Sequence, residues 1–279
     1  MESKYAQVNG IRMAYQITGA GFPILFLHGF PRTRRTWEKI TPVLSKHFTV
    51  VACDRRGYGD SDRPQDLGSM NNAMIASDHL ALLDQLGFSS FIVVGHDKGA
   101  SPARRIATEN PERVKGLVIL DGLPEGVDIP RQRDQSGRQW YLDFFRQRGV
   151  AEQLIGQNPR LFFSLFLDRN PHLLPEEHEY YVSMFSRRGT VDTVLADYRA
   201  DVDAAYWRAV ADSQEKLKVP VLAMWGGRGP SASAPVLDAW SQVVEHVEGE
   251  PVNAGHYVHE EQPDLVAQRI LAFARRLTA

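Results

Sequence analysis

The sequence predicts an α/β fold, with a mostly parallel central sheet flanked by helices and a helical insertion late in the chain. Two observations carry that class. Short apolar runs recur at residues 24–27, 48–52, 91–94, 114–120 and 219–225. The first three end in turn-forming polar residues that lead into a helix-period pattern. Between about residues 123 and 217 the strand-like runs stop, and aromatic side chains crowd into helical stretches instead.

The elements follow in order. Residues 24–27 run into His28-Gly29-Phe30-Pro31, and residues 33–46 then carry apolar side chains at helical spacing. Residues 48–52 end at Asp54-Arg55-Arg56-Gly57-Tyr58-Gly59, followed by a helix over about 70–86. Residues 91–94 end at Gly95-His96-Asp97-Lys98-Gly99, with a second helix reaching Asn110. Residues 114–120 then arrive at Asp121-Gly122. Such alternation implies right-handed crossovers, and it places these polar loops beyond the carboxyl ends of parallel strands, where ligands sit in sheets of this kind. The sheet resumes at 219–225 and a final helix spans about 262–277. The expected organisation is a core of residues 1–122 and 218–279, with residues 123–217 as a helical cap.

At 279 residues, with 43% hydrophobic and 24% charged, the chain is long enough to bury a large single core. Thirty-two Lys and Arg against 34 Asp and Glu leave a net charge of −2, which removes the electrostatic case for nucleic acid. No apolar run approaches the roughly 20 residues a bilayer demands, and the first residues lack the apolar stretch of a signal peptide. Cys53 is the only cysteine, so an internal disulfide is impossible and a reducing, cytoplasmic location is expected. The expected partner is a small-molecule substrate, and a homodimer is compatible with the sequence. No cofactor is expected. No Cys/His cluster has metal spacing, and Gly57-Tyr58-Gly59 lacks the third glycine of a dinucleotide loop.

Gly95-His96-Asp97-Lys98-Gly99, after a strand and before a helix, has the form of a nucleophile elbow, in which small flanking residues allow a sharp turn that exposes the central side chain. That residue is Asp97, already ionised at neutral pH. A carboxylate attacks an electrophilic alkyl carbon and leaves an ester on the protein. The bland alternative is an Asp that caps the next helix. The elbow calls for a late histidine. His256 follows a small residue in Gly255-His256-Tyr257, whereas His259 does not, so His256 is expected to activate the water that splits the ester. An acid must orient that histidine. The loop after 219–225 holds none, whereas Asp121 follows the preceding core strand; its other role would be to cap the turn at Gly122. The backbone N–H groups of Phe30 and Lys98 are expected to face the ester carbonyl oxygen.

These motifs, with Trp37, Asp197-Tyr198-Arg199 and Trp225-Gly226, resemble α/β-hydrolases with an aspartate nucleophile, the group containing fluoroacetate dehalogenases and soluble epoxide hydrolases. The resemblance covers nearly the whole chain and implies the α/β-hydrolase fold. It departs from the dehalogenases at two positions. They place Arg directly after the nucleophile and again three residues later to grip the substrate carboxylate, where this chain has Lys98 and Ser101, which lack the bidentate fork. The resemblance to epoxide hydrolases places Tyr141 and Tyr198 where two phenols hold the epoxide oxygen, and Phe30, Trp37, Lys98 and Trp140 beside the substrate. Packing of an aromatic stripe is the alternative role for both tyrosines. Three functions follow: an epoxide hydrolase, a haloacetate dehalogenase using the same Asp97, Asp121 and His256, or a binding protein that kept the pocket without turnover.

Overall fold

In the computed structural model, which describes residues 2–129, 140–168, 170–200 and 202–278, eight strands form one sheet. They are β1 (Lys4–Val8), β2 (Ile11–Thr18), β3 (Pro23–Leu27), β4 (Thr49–Cys53), β5 (Phe91–His96), β6 (Val114–Leu120), β7 (Val221–Gly226) and β8 (Val247–Val252), in the order β1-β2-β4-β3-β5-β6-β7-β8. β1 and β2 pair antiparallel, as do β2 and β4, and every other pairing is parallel. The helices are α1 (Thr41–Leu44), α2 (Asn72–Gln85), α3 (Ala100–Glu109), α4 (Trp140–Arg146), α5 (Val150–Gln157), α6 (Pro159–Leu167), α7 (Pro175–Phe185), α8 (Thr190–Tyr198), α9 (Val202–Asp212), α10 (Val236–Ser241), α11 (Val258–Glu261) and α12 (Pro263–Thr278). Helices α4 to α9 all lie between β6 and β7 in the chain. This is the α/β-hydrolase architecture.

The central strands are continuous apolar runs because both faces are covered. Along β3, Leu25 and Leu27 join one core cluster while Ile24 and Phe26 join the other. Val93 and Ile92 of β5 divide the same way, as do Leu117 and Val118 of β6. The first cluster includes Leu82 and Leu83 of α2 and Ile106 of α3, and the second includes Val266, Ile270 and Phe273 of α12. A third cluster joins Phe30 and Tyr58 to Phe145, Phe163, Phe166 and Phe185 between β6 and β7. Among the described residues, no helix is long and apolar enough to cross a membrane.

One local expectation is corrected. Residues 33–46 form no continuous helix. A 3₁₀ turn (Arg34–Trp37) is followed separately by α1, with Pro42 in its first turn. Proline lacks the N–H that a helix running through would need. The hairpin β1–β2 and the edge strand β8 lie outside the apolar runs. The hairpin was signalled by Asn9-Gly10, both at positive φ (41° and 79°). β8 carries Glu248, Gly249, Glu250 and Pro251, too polar to register as an apolar run.

Two glycines bring the elbow against its neighbours. A Cβ on Gly95 would lie 2.5 Å from the Gly99 carbonyl oxygen, and one on Gly99 would lie 2.2 Å from the Leu27 carbonyl oxygen. Both obstacles are backbone atoms that cannot swing away. Gly99→Ala is expected to destabilise the fold by about 1–3 kcal/mol or more, measured by urea denaturation. An unchanged midpoint would show that the turn relaxes freely.

Candidate active site

Three side chains meet at the carboxyl edge of the sheet, from the ends of β5, β6 and β8. Asp97 follows β5 with φ at +50°, and Asp121 follows β6 with φ at +47°. The left-handed region is costly for most residues but tolerated by Asp. One oxygen of Asp97, Oδ1, accepts the Phe30 backbone N–H at 2.8 Å. The other, Oδ2, lies 3.3 Å from Nε2 of His256. The opposite ring nitrogen, Nδ1, hydrogen-bonds Asp121 Oδ2, and Asp121 Oδ1 accepts the Gly226 N–H at 3.2 Å. Gly29 permits this approach, because a Cβ there would lie 2.5 Å from Asp97 Oδ1.

The loop that carries His256 is itself anchored. Glu261 accepts the N–H groups of Gly255 (2.8 Å) and Tyr257 (3.3 Å), on either side of the histidine. His96 Nε2 donates to the His256 carbonyl oxygen at 3.0 Å. Burial holds the His96 imidazole well below its ordinary pKa and therefore neutral. Glu260 accepts from Arg32 Nε (2.7 Å) and Nη2 (3.0 Å), and from Asn170 Nδ2 (2.8 Å). That buried pair ties the loop after β3, α11 and the segment after α6 together.

The charges of the three groups are coupled. Burial by itself would depress the His256 pKa, but the hydrogen bonds and charges of Asp121 and Asp97 outweigh it and raise the imidazole from 6.5 to about 10. Burial likewise opposes ionisation of Asp97, yet the hydrogen bond and charge of His256, with the Phe30 N–H, hold its carboxyl well below the usual range. The resting site is thus an imidazolium between two carboxylates. Because the folded pKa of His256 is raised, its contribution to stability is full below pH 6.5 and lost as the pH rises through about 10. The melting temperature is expected to fall across that interval, and to fall less in His256→Gln. Equal slopes in both proteins would count against the coupling.

Tyr198 closes α8 above this group. Burial raises its phenol pKa well above 10, and the next largest cause is the negative charge of Asp97. Its ring meets Phe30 edge-on, with centroids 5.4 Å apart, and lies 6.0 Å from the ring of Tyr141. Among the described residues, no hydrogen bond engages the Tyr198 hydroxyl.

Other expected residues sit differently. Trp37 is corrected: it is fully buried, its ring packed between those of Phe26 (5.0 Å) and His259 (4.4 Å) in the core, so it is not beside a substrate. His259 is equally buried and hydrogen-bonds Thr36 Oγ1 at 2.7 Å. Trp140 is 45% exposed, with its ring near Phe144, Phe162 and Phe166. The Lys98 ammonium lies 3.4 Å from Asp197 Oδ1 and donates to the Asp197 carbonyl oxygen at 3.1 Å. Ser101 donates to Glu125. Arg104 and Arg105 stack on Trp207 (4.0 Å) and Tyr206 (3.8 Å) of α9.

Sequence reasoning missed Asp197 as a hub. It is 2% exposed and accepts from Arg55 Nη2 at 3.1 Å on both oxygens and from the Tyr58 hydroxyl at 2.6 Å. It also missed Tyr257, whose ring is 4.9 Å from that of His256 with the Arg32 guanidinium 3.7 Å from its centroid. Adjacency to His256 was the only available signal.

A fold whose sheet edge holds an Asp at an elbow, a strand-end Asp and a late His defines the α/β-hydrolase class. The family model described as the alpha/beta hydrolase fold matches residues 23–263, and the chain belongs to that family. It is 33% identical to a soluble epoxide hydrolase from Corynebacterium sp. (strain C12), over 96% of this chain and 95% of the relative. It is 27% identical to a fluoroacetate dehalogenase from Burkholderia sp, over 98% and 93% respectively. Among solved structures it superposes on the ligand-free epoxide hydrolase CorEH with a TM-score of 0.88 at 31% identity, covering 99% of both chains.

Proposed function

We propose that the chain is an epoxide hydrolase working through an ester on Asp97, with helices α4 to α9 acting as a cap over the site. Oδ1 of Asp97 is held by the Phe30 N–H, which leaves Oδ2 to attack. Oδ2 bonds to the less hindered epoxide carbon, and the carbon–oxygen bond breaks. The electron pair goes to the epoxide oxygen, which takes a proton from a phenol, Tyr198 or Tyr141.

Water then attacks Cγ of Asp97 as His256 Nε2 accepts its proton. Charge accumulates on Oδ1, against the N–H groups of Phe30 and Lys98. Collapse releases a vicinal diol and restores the carboxylate. The raised pKa of His256 fits this order. Esterification removes the charge of Asp97, one of the two carboxylates that sustain the imidazolium, so the ring then gives up its proton, which restores the phenol that protonated the epoxide oxygen, and is a free base when water attacks.

One observation favours an epoxide over a haloacid. The Lys98 ammonium and the Ser101 hydroxyl are already engaged by Asp197 and Glu125, while the Tyr198 phenol, with no hydrogen bond among the described residues, stays within the field of Asp97. A haloacetate needs the cation, and an epoxide oxygen needs the phenol. The dehalogenase reading retains support from the relative in Burkholderia sp and from the shared triad.

Incubation with aryl and alkyl epoxides beside fluoroacetate and chloroacetate tests the choice. Diol formation well above halide release is expected, and the reverse ratio overturns the proposal. Tyr198→Phe is expected to slow ester formation by about 10²-fold, read by single-turnover quench with intact mass. An unchanged rate would remove Tyr198 from the mechanism.

A further inference from the structure

We infer that Lys98 and Asp197 form a latch between the core and helix α8 that positions the Tyr198 phenol over Asp97. This rests on the epoxide hydrolase reading and extends it to a pair whose side chains act through Tyr198, apart from the role given to the Lys98 backbone N–H. Lys98 occupies the turn directly after the nucleophile, and Asp197 is the residue directly before Tyr198. The ammonium grips α8 twice, at the Asp197 carboxylate (3.4 Å) and at its backbone carbonyl oxygen (3.1 Å). It also sits 4.8 Å from the centre of the Tyr198 ring. A backbone contact to residue 197 fixes the point from which the next side chain departs.

The carboxylate is not free to follow α8 elsewhere. Arg55 and Tyr58, both fully buried on the core side, hold its two oxygens. Burial opposes the charge of Asp197, but Arg55 and then Lys98 keep its carboxyl below the ordinary range, so the contact is an ion pair at neutral pH. Arg55 and Tyr58 clamp the carboxylate from one side. Lys98 is the member that joins the same residue to the nucleophile turn, and so sets the phenol's height above Asp97. A latch spent on α8 takes the Lys98 cation away from a substrate carboxylate.

Three variants of the intact chain test this: Lys98→Met, which keeps the stem length without charge, Lys98→Arg, which restores charge, and Asp197→Asn. Hydrogen exchange over α8 reads the latch without any substrate. Faster exchange is expected in Lys98→Met and Asp197→Asn, with recovery in Lys98→Arg. Single-turnover quench with an epoxide the wild type accepts reads the positioning. Ester formation is expected to slow about tenfold or more in Lys98→Met, ester hydrolysis to stay within about twofold, and Lys98→Arg to recover most of the loss. Unchanged exchange in α8, or equal slowing of both chemical steps, overturns the latch. A wild type that forms no ester with any epoxide sinks the epoxide reading instead, and the latch then stands or falls on the exchange result.

Discussion

His256→Ala is expected to stall the protein as a stable ester. The nucleophile does not need the imidazole to attack, because Asp97 is ionised and the Phe30 N–H fixes its geometry. The second step does need it, since Nε2 is the nitrogen facing the carboxylate and no other base is seen there among the described residues. Intact mass after a short incubation with an accepted epoxide is expected to show one added substrate per chain, while steady-state turnover falls by about 10²- to 10⁴-fold. Normal turnover without an adduct would assign the water-activating role to another group.

Asp97→Asn has the largest expected effect. The amide keeps the volume and tolerates φ near +50°, so the elbow is expected to hold. It is neutral and a far weaker nucleophile, and turnover is expected to drop by roughly 10⁴- to 10⁶-fold, with no adduct even when combined with His256→Ala. Removing Asp97 also removes one of the charges sustaining the imidazolium, so the His256 pKa, about 10 in the intact site, is expected to fall, as read by imidazole NMR titration. An adduct in the double variant would place the nucleophile elsewhere.

The parts of this site that were legible in the sequence are those set by local geometry. Gly95 and Gly99 flank Asp97 because only they allow the backbone contacts around the turn, so the elbow is written in five consecutive residues. The strands β3, β5, β6 and β7 are buried on both faces and therefore stand out as apolar runs. Asp121 could be inferred because its position follows from strand order. Contacts made across the chain left no such mark. Lys98 meets a residue 99 positions away, and nothing near Lys98 names Asp197 as its partner. Trp37, placed beside the substrate only by resemblance, is a further case: the turn at Arg34–Trp37 directs its ring into the core against Phe26. β8 and the segment 33–46 show the same limit, since an edge strand and a proline-interrupted turn depend on their neighbours more than on periodicity.

The covalent route through Asp97 is tested most directly by one turnover in ¹⁸O-labelled water with protein in excess over epoxide, followed by mass analysis of the peptide containing Asp97 and of the diol. Attack of water on Cγ puts the heavy atom into the Asp97 carboxylate and leaves the first diol unlabelled. Heavy oxygen in that first diol, with none in the peptide, would mean that water struck the epoxide directly and that no ester formed.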